Sequence, residues 1–285
     1  QSYQGLPELR DAMASFYKEQ FDVHLSPKTE ILPLMGSKEG IMHISMAFLN
    51  EGDEVLIPNP GYPTYSSVTK LLGAKPRYYD LIEEQNWHPD LVALEGTDLS
   101  KVKIMWVNYP HMPTGATATN KLFEDIIAFA KRNNILVVND NPYSFVLNEF
   151  PRSILKYRDA REFCLELNSL SKTFNMAGWR VGMVIGKSEY IDDIIKVKSN
   201  MDSGMFFGIQ KGAIEAFKLS NNGGGYGKTG SQYSWQYDPM VIMKTTFKGQ
   251  LSLLMLIEQL YDIGCHIISA NTDGIVIYYD NKIKY

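Results

Sequence analysis

Short apolar segments alternate with amphipathic helical segments over the first two thirds of the chain, and this alternation restricts the fold more than any other feature. Five predicted strands span residues 55–58, 103–107, 135–138, 163–167 and 181–185. Predicted helices span residues 7–20, 37–50 and 122–132. Strands that are joined through helices pair in parallel, so the sequence predicts an α/β fold with a mostly parallel sheet flanked by helices.

Polar residues follow the carboxyl ends of several predicted strands. Asn108 follows the strand at 103–107, and Asp140 follows the strand at 135–138. Lys172 comes five residues after the strand that ends at Leu167. Open α/β sheets bind ligands at this edge, so the sequence predicts a ligand site there.

Lys172 lies in a run that contains Ser169, Ser171 and Arg180. An amine beside a cationic group and away from bulk water loses its proton more easily and becomes a nucleophile. Hydroxyl groups and a guanidinium are good donors to phosphate. The run is therefore typical of a Schiff-base lysine beside a phosphate site, although taken alone it also fits an ordinary surface lysine.

Asp140 and Tyr143 form a second candidate pair. A carboxylate at the end of a buried strand favours a protonated ring nitrogen nearby, because an opposite charge stabilises the charged form. Tyr143 could donate to a phenolate-like oxygen. The alternatives are a turn cap for Asp140 and a half-buried aromatic for Tyr143.

Two further motifs precede these residues in the chain. Gly36, Ser37 and Lys38 open a predicted helix, whose free N–H groups and dipole can hold a phosphate. Tyr62 lies in a turn rich in proline and could stack on an aromatic ring. A simple N-cap serine and a turn-anchoring aromatic are the respective alternatives.

Taken together, the motifs of residues 1–220 resemble those of the class I and II aminotransferases, the fold-type I enzymes that use pyridoxal 5′-phosphate. The matching stretches occur in the family's order: Gly5–Arg10, Gly36–Lys38, Pro60–Tyr62, Pro113–Gly115, Asp140–Tyr143 and Ser169–Lys172, followed by Arg180. The resemblance implies a three-layer large domain. It also implies an amino acid and a 2-oxo acid as substrates and a homodimer. We expect a cytoplasmic location, because the sequence shows neither a signal peptide nor an apolar run of spanning length.

The same resemblance implies a role for each candidate residue. Lys172 would form a Schiff base with the cofactor and shuttle the proton at the substrate α-carbon, and Asp140 would keep the pyridine nitrogen protonated. Tyr143 would bond the phenolic oxygen, and Tyr62 would stack on the ring. The phosphate would be held by Gly36, Ser37, Lys38, Ser169, Ser171 and Arg180, and Asn108 is a further candidate for binding the cofactor.

The chain departs from the family pattern in two ways. The family's asparagine before Pro-Thr-Gly is replaced by Met112, with Asn108 and His111 nearby. Because methionine cannot donate a hydrogen bond to the phenolic oxygen, we expect altered tuning of the cofactor. We also expect a fragment that lacks the family's N-terminal arm and C-terminal small domain, and therefore weak turnover.

The composition changes at residues 220–225, a stretch of Ser, Asn and Gly that is typical of a linker. Beyond it we predict a small helix-plus-hairpin segment, with a helix over Val241–Tyr261 and two apolar strands around Asn271–Gly274. Residues 221–285 resemble the palm of phage-type family B DNA polymerases in four stretches, namely Tyr226–Gly230, Tyr237–Pro239, Gly249–Leu251 and Ser269–Gly274. The join is more typical of a fragment or of an assembly fusion than of an evolved two-domain enzyme.

Asp273 matches the metal-binding aspartate of that polymerase motif, whereas Asn271 stands where the motif has its first aspartate. Two-metal chemistry needs a second carboxylate. We therefore predict no metal site, unless Asp273 binds metal in a working palm, and the alternative for Asp273 is a residue of a hairpin turn.

Charge and cysteine content exclude other classes of function. The net charge is −4 and the pI is about 5.8, so no basic bias favours nucleic acid or an anionic membrane. The two cysteines, Cys164 and Cys265, lack metal-like spacing, and no signal peptide or spanning apolar run is visible. Three hypotheses remain: an aminotransferase, a DNA polymerase fragment with an unrelated leader, and a non-catalytic module that binds pyridoxal phosphate.

Overall fold

Two compact units divide the chain, residues 1–227 and residues 228–285. The structure is a computed structural model that describes residues 2–146, 148–221, 266–271 and 274–278. The longest described helices have 15 residues. Within the described ranges no helix combines the length and the apolar character needed to cross a membrane.

Seven strands and nine helices are described in the first unit. The strands are β1 (Ile31–Leu34), β2 (Glu54–Asn59), β3 (Lys75–Asp80), β4 (Val102–Val107), β5 (Leu136–Asp140), β6 (Cys164–Ser169) and β7 (Gly182–Ile185). The helices are α1 (Pro7–Phe21), α2 (Ser37–Phe48), α3 (Pro63–Leu71), α4 (Leu91–Glu95), α5 (Asn120–Asn133), α6 (Ala160–Phe163), α7 (Leu170–Thr173), α8 (Ser188–Met201) and α9 (Phe207–Asn221).

These strands form one sheet in the order β1-β7-β6-β5-β4-β2-β3. Strands β3, β2, β4, β5 and β6 pair in parallel, whereas β7 runs antiparallel to both β6 and β1. The predicted mostly parallel sheet is confirmed. Because β4, β5 and β6 are parallel neighbours, their carboxyl ends meet at one edge.

The sheet lies between two hydrophobic cores. Alternate residues of a strand point to opposite faces, so Met105 packs in one core and Trp106 in the other. Helices α1, α5 and α9 cover the first face, which we call the α1 face. Helices α2, α3 and α8 cover the second, the α3 face. This arrangement confirms the three-layer architecture.

Helix α5 shows why the predicted helices form where they do. The Thr119 side chain caps its first turn by accepting a hydrogen bond from the amide of Leu122 at 3.0 Å. Asn134 ends it in a left-handed conformation with φ of 52°. The predicted apolar stripe is buried, at Phe123, Ile126, Ile127 and Ala130.

In the second unit the described residues form an antiparallel pair of strands, β8 (His266–Asn271) and β9 (Gly274–Tyr278). Asn271 pairs with Gly274, so the predicted hairpin strands are confirmed. Asp273 and the predicted helix Val241–Tyr261 lie outside the described residues.

Candidate active site

The carboxyl ends of β5 and β6 place the predicted catalytic residues together. Asp140 is the last residue of β5, and Ser169 is the last residue of β6. Lys172 follows Ser169 by one short turn, in α7. The predicted edge of the sheet is therefore where these side chains are found.

Asp140 is buried, with 5% of its surface exposed. Its Oδ2 accepts a hydrogen bond from the Tyr65 hydroxyl at 2.8 Å, whereas its Oδ1 has no donor among the described residues. Burial raises the pKa of the Asp140 carboxyl to about 6, and the bond from Tyr65 acts in the opposite direction. A buried polar atom without a partner requires an explanation, and a bound group is one.

Tyr65 is a candidate site residue that the motifs did not identify. Its ring stacks on Trp106 with centroids 4.8 Å apart and planes 8° from parallel. Burial raises the pKa of Tyr65 well above its ordinary value, and the neighbouring Asp140 adds to the shift. Tyr65 lies three residues after Tyr62, the N-cap residue of α3. Because residues three apart on a helix are neighbours, this spacing is the sequence signal that could have identified Tyr65.

Tyr62 is the half-buried N-cap residue of α3. Its ring meets Tyr65 edge-on, with centroids 5.7 Å apart. The Lys38 ammonium lies 5.5 Å from the Tyr62 ring centroid. The predicted stacking residue and a predicted phosphate ligand are therefore neighbours.

The start of α2 is packed against β7 and Arg180. Gly36 has a φ of 91°, which favours glycine, and a β-carbon there would overlap the Arg180 guanidinium. A β-carbon at Gly182 would lie 2.7 Å from the Ser37 amide nitrogen. The first N–H groups of a helix have no intrahelical acceptors. This cradle therefore places N–H donors and a guanidinium side by side.

Strand pairing adds the serine end of the run to this cradle. Ser169 pairs with Gly182 across β6 and β7, and it is buried. Ser171 and Lys172 in α7 are half-buried. The Lys172 ammonium lies 5.9 Å from the ring centroid of Tyr143, which is half-buried in the turn after β5.

Asn108, a predicted candidate for binding the cofactor, bonds main-chain groups at the ends of β4 and β5. Its side-chain amide donates to the Asp140 carbonyl at 2.6 Å, and its Oδ1 accepts from the Met112 amide at 2.8 Å. Both ends of this buried carboxamide therefore bond main-chain groups. His111 is similarly engaged, with Nδ1 2.8 Å from the Thr114 hydroxyl and Nε2 3.1 Å from the Pro60 carbonyl. These bonds favour a structural role for Asn108 over direct contact with a ligand.

One group of side chains has metal-like spacing within the described ranges. Glu39, His43 and Asp202 bring their ligand atoms within 4.8 Å of one another. The Lys198 ammonium bonds Asp202 at 2.5 Å, so a cation already faces this carboxylate. We interpret the group as an ion-pair cluster. The predicted candidate metal ligand, Asp273, lies outside the described residues.

Comparison with protein families shows where the sequence match lies. A family model described as aminotransferase class I and II matches residues 1–217. The LL-diaminopimelate aminotransferase of Dehalococcoides mccartyi (strain 195) is 45% identical over 221 residues, which cover 77% of this chain and 57% of that protein. The corresponding enzyme of Aquifex aeolicus is 44% identical over 220 residues, with 76% and 57% covered. The chain thus spans little more than half the length of these curated relatives.

Solved structures show the same likeness in three dimensions. Substrate-bound BacF from Bacillus subtilis superposes with a TM-score of 0.73 at 37% identity, covering 76% of this chain and 56% of that one. An aromatic aminotransferase from Pyrococcus horikoshii gives a TM-score of 0.74 at 27% identity, covering 97% and 69%.

Proposed function

Since the chain belongs to the class I and II aminotransferases, as its motifs predict, we propose that it transfers amino groups between an amino acid and a 2-oxo acid with pyridoxal 5′-phosphate as cofactor. Residues 1–220 would form the large domain that holds this cofactor. One observation carries the proposal: Asp140 Oδ1 is a buried carboxylate oxygen at the ligand edge of the sheet, with no donor among the described residues.

A protonated pyridine nitrogen fits this oxygen. Tyr65 holds the other oxygen of Asp140, so the side chain has one direction left for a donor. The carboxyl is costly to ionise when buried, which is why its pKa rises to about 6. A cation within about 4–6 Å favours the carboxylate, so Asp140 and a protonated ring nitrogen would stabilise each other.

The phosphate fits the cradle at the start of α2. Gly36 leaves room for the Arg180 guanidinium, and Gly182 lets the Ser37 amide approach β7. A helix N-terminus and an arginine both favour an anion. Lys38, Ser169 and Ser171 are the further candidates for this phosphate.

The chemistry divides between the cofactor and the chain. Bound pyridoxal phosphate supplies an electron sink for the bonds of the amino acid's α-carbon. Lys172 Nζ would hold the cofactor covalently and then move the proton at that α-carbon. Tyr143 would donate to the phenolic oxygen, and Tyr62 would cover one face of the ring.

Asn108 and Met112 both bear on how the phenolic oxygen would be held. Asn108 bonds the main chain at the ends of β4 and β5, so we assign it the role of holding those ends together. Met112 has no donor in its side chain. Tyr143 is then the remaining donor to the phenolic oxygen among the predicted site residues.

The substrate is proposed by analogy with the relatives. Two relatives with 44–45% identity are named LL-diaminopimelate aminotransferases, so we propose LL-diaminopimelate as the first amino donor to test. Among the described residues we assign no arginine to the substrate's α-carboxylate. The homodimer and the cytoplasmic location remain predictions.

The proposal for residues 221–285 is separate. The family model ends at residue 217, and the polymerase-like stretches lie beyond it. Of these stretches the structure describes only residues 269–271 and 274, which belong to β8 and β9. The polymerase hypothesis therefore remains an alternative that primer extension can test.

Borohydride reduction tests the central role of Lys172. We expect reduction of protein loaded with pyridoxal phosphate to label Lys172, as mapped by mass spectrometry of peptides. The Lys172→Met variant should lose this label. The control variant Lys196→Met, which removes an exposed lysine of α8, should keep the label on Lys172. A label on another lysine, or none in folded protein, would contradict the proposal.

A single-turnover measurement separates an aminotransferase from a non-catalytic binding module. Adding LL-diaminopimelate to the loaded protein should change the cofactor's absorbance. It should also release one 2-oxo acid for each bound cofactor. A module that only binds the cofactor would show the label on Lys172 without this change. That result would favour the non-catalytic hypothesis.

A further inference from the structure

A second buried carboxylate, Glu166, lies beside the proposed site on the other face of the sheet. It is 0% exposed and sits on β6 opposite Asn139 of β5. Its Oε1 accepts from the Tyr17 hydroxyl at 2.9 Å. Its Oε2 accepts from the side-chain amide of Asn139 at 2.9 Å and from the main-chain amide of Ile154 at 3.0 Å. Both oxygens are therefore hydrogen-bonded.

This carboxylate is the centre of a continuous chain of hydrogen bonds, which we call the Glu166 chain. The Ser169 amide donates to Asn168 Oδ1 at 2.7 Å, and the Asn168 side-chain amide donates to the Tyr17 oxygen at 3.2 Å. Tyr17 then donates to Glu166. On the other side, Asn139 bonds Glu166 and accepts from the Tyr109 amide at 3.3 Å. The chain links the ends of β6, β5 and β4.

Each asparagine of the Glu166 chain comes directly before a residue of the proposed site. Asn139 precedes Asp140, and Asn168 precedes Ser169, three residues before Lys172. Successive residues of a strand point to opposite faces, so a bond that fixes Asn139 from the α1 face also fixes Asp140 on the α3 face. The direction of each site residue is thus coupled to a side chain on the opposite face.

We propose that Glu166 is a positioning residue of the cofactor site: through Tyr17, Asn139 and Asn168 it holds the ends of β5 and β6 so that Asp140 faces Ser169 and Lys172. This proposal rests on the proposed function for its ligand. Because the Glu166 chain is buried, alternative partners for these donors are scarce. Each lost hydrogen bond would therefore leave an unpaired polar group. Small displacements at a site are costly in binding and rate.

The test compares three substitutions in the Glu166 chain with one control substitution. Glu166→Leu removes the acceptors for three donors, whereas Glu166→Gln keeps an acceptor for Asn139 and Ile154. Tyr17→Phe removes one donor and leaves Glu166 in place. Ile194→Val, in the core of α8, is a control for lost packing away from the Glu166 chain.

Two readouts are measured on folded protein. The first is cofactor binding, measured as the affinity for pyridoxal phosphate and as the pH midpoint of the bound cofactor's absorbance. We expect Glu166→Leu to weaken binding about tenfold to a hundredfold. Glu166→Gln should recover most of this loss, and Tyr17→Phe should weaken binding about threefold. The pH midpoint of the bound cofactor's absorbance should move in Glu166→Leu and stay at the wild-type value in Ile194→Val.

The second readout is hydrogen exchange in the cofactor-free protein. We expect the amides of residues 139–141 and 168–170 to exchange faster in Glu166→Leu than in Ile194→Val. Wild-type affinity, midpoint and exchange at these amides in Glu166→Leu would overturn the proposal. If Glu166→Leu fails to fold, Tyr17→Phe decides by the same readouts.

The two proposals can fail separately. If wild-type protein did not bind pyridoxal phosphate, the proposed function would fall. The exchange comparison would still show whether Glu166 fixes the strand ends. Conversely, wild-type cofactor affinity, midpoint and amide exchange in every Glu166 and Tyr17 variant would leave the proposed function intact and refute the positioning role.

Discussion

Asp140 and Glu166 are buried carboxylates on neighbouring strands, and their surroundings differ in one respect. Burial raises the pKa of both carboxyls. Glu166 faces α1 and has donors on both oxygens, whereas Asp140 faces α3 and has a donor on one oxygen, from Tyr65. A fully bonded carboxylate needs nothing further. The second oxygen of Asp140, which has no donor among the described residues, can accept a hydrogen bond from a ligand.

The largest expected effects come from substituting each carboxylate in turn, because one substitution should lower the rate and the other should lower the stability. Asp140→Asn should lower the rate of amino-group transfer by about a thousandfold, because charge stabilisation at the ring nitrogen is lost. It should leave the cofactor-free protein at least as stable as wild type, since it removes a half-paired buried carboxylate. Glu166→Leu should lower the free energy of unfolding by about 3 kcal/mol, because its donors lose their acceptors.

Single-turnover absorbance and urea unfolding of the cofactor-free protein measure these two quantities. The comparison between the carboxylates would break if Asp140→Asn destabilised the protein more than Glu166→Leu. It would also break if Asp140→Asn retained wild-type rates.

The pH dependence of stability sharpens the role of Asp140. Its pKa is raised from 3.8 to about 6, so the folded protein binds this proton more tightly than the unfolded chain does. The resulting stabilisation is complete below about pH 4 and is lost as the pH rises through about 6, with a total of about 3 kcal/mol. Asp140→Asn should remove this part of the slope, as seen in unfolding curves of cofactor-free protein between pH 4 and 7. An unchanged slope would show that other groups cause it.

The phosphate cradle supplies a smaller effect. Gly36→Ala should weaken binding of pyridoxal phosphate about tenfold, because the methyl group strains the backbone and displaces Arg180. Gly52→Ala is a matched control: Gly52 has a φ of 88°, and a β-carbon there would meet nothing within 4 Å. Equal losses of affinity in both variants would show that the cradle is not specific to the cofactor. Isothermal titration of the two proteins decides this.

Tyr65→Phe tests the donor that Asp140 has among the described residues. Removing the hydroxyl should raise the pKa of Asp140, because the bond favours the charged carboxylate. Affinity for pyridoxal phosphate should fall about threefold. Tyr79→Phe, which removes a buried hydroxyl that donates to the Trp106 carbonyl, should leave affinity unchanged. The reverse order of the two effects would argue against a role for Tyr65.

Asp273 is expected to show no effect. If residues 221–285 do not copy DNA, wild-type protein and Asp273→Ala should both lack metal-dependent primer extension and should bind pyridoxal phosphate equally. Extension by the wild type that is lost in Asp273→Ala would instead support the polymerase hypothesis.

The sequence pattern predicted the central strands well and the outer ones poorly. Strands β4 to β7 lie within about two residues of their predicted bounds, because short apolar runs mark buried strands. Strand β3 was missed, since Lys75–Asp80 lies at the sheet edge and carries mostly polar or half-buried residues. Strand β1 has four residues and includes a proline, so its signal is short.

Helices α3, α8 and α9 were also missed, for a different reason. Helix α3 begins at Pro63, directly after a proline-rich stretch that reads as a turn. Helices α8 and α9 lie beyond β7, where no further predicted strand bounded them. Their apolar residues are covered by the sheet or by α1, which local patterns do not show.

The sequence by itself determined the α/β class, the family and the candidate residues for the chemistry, because these depend on local period and on motifs of a few neighbouring residues. The tertiary structure decided which polar atoms have partners. Tyr65 meets Asp140 across 75 positions of the chain, and Tyr17 meets Glu166 across 149. No local pattern reports such distances, since the sheet order brings these strands and helices together. The difference between a bonded and a half-bonded carboxylate therefore exists only in the folded protein.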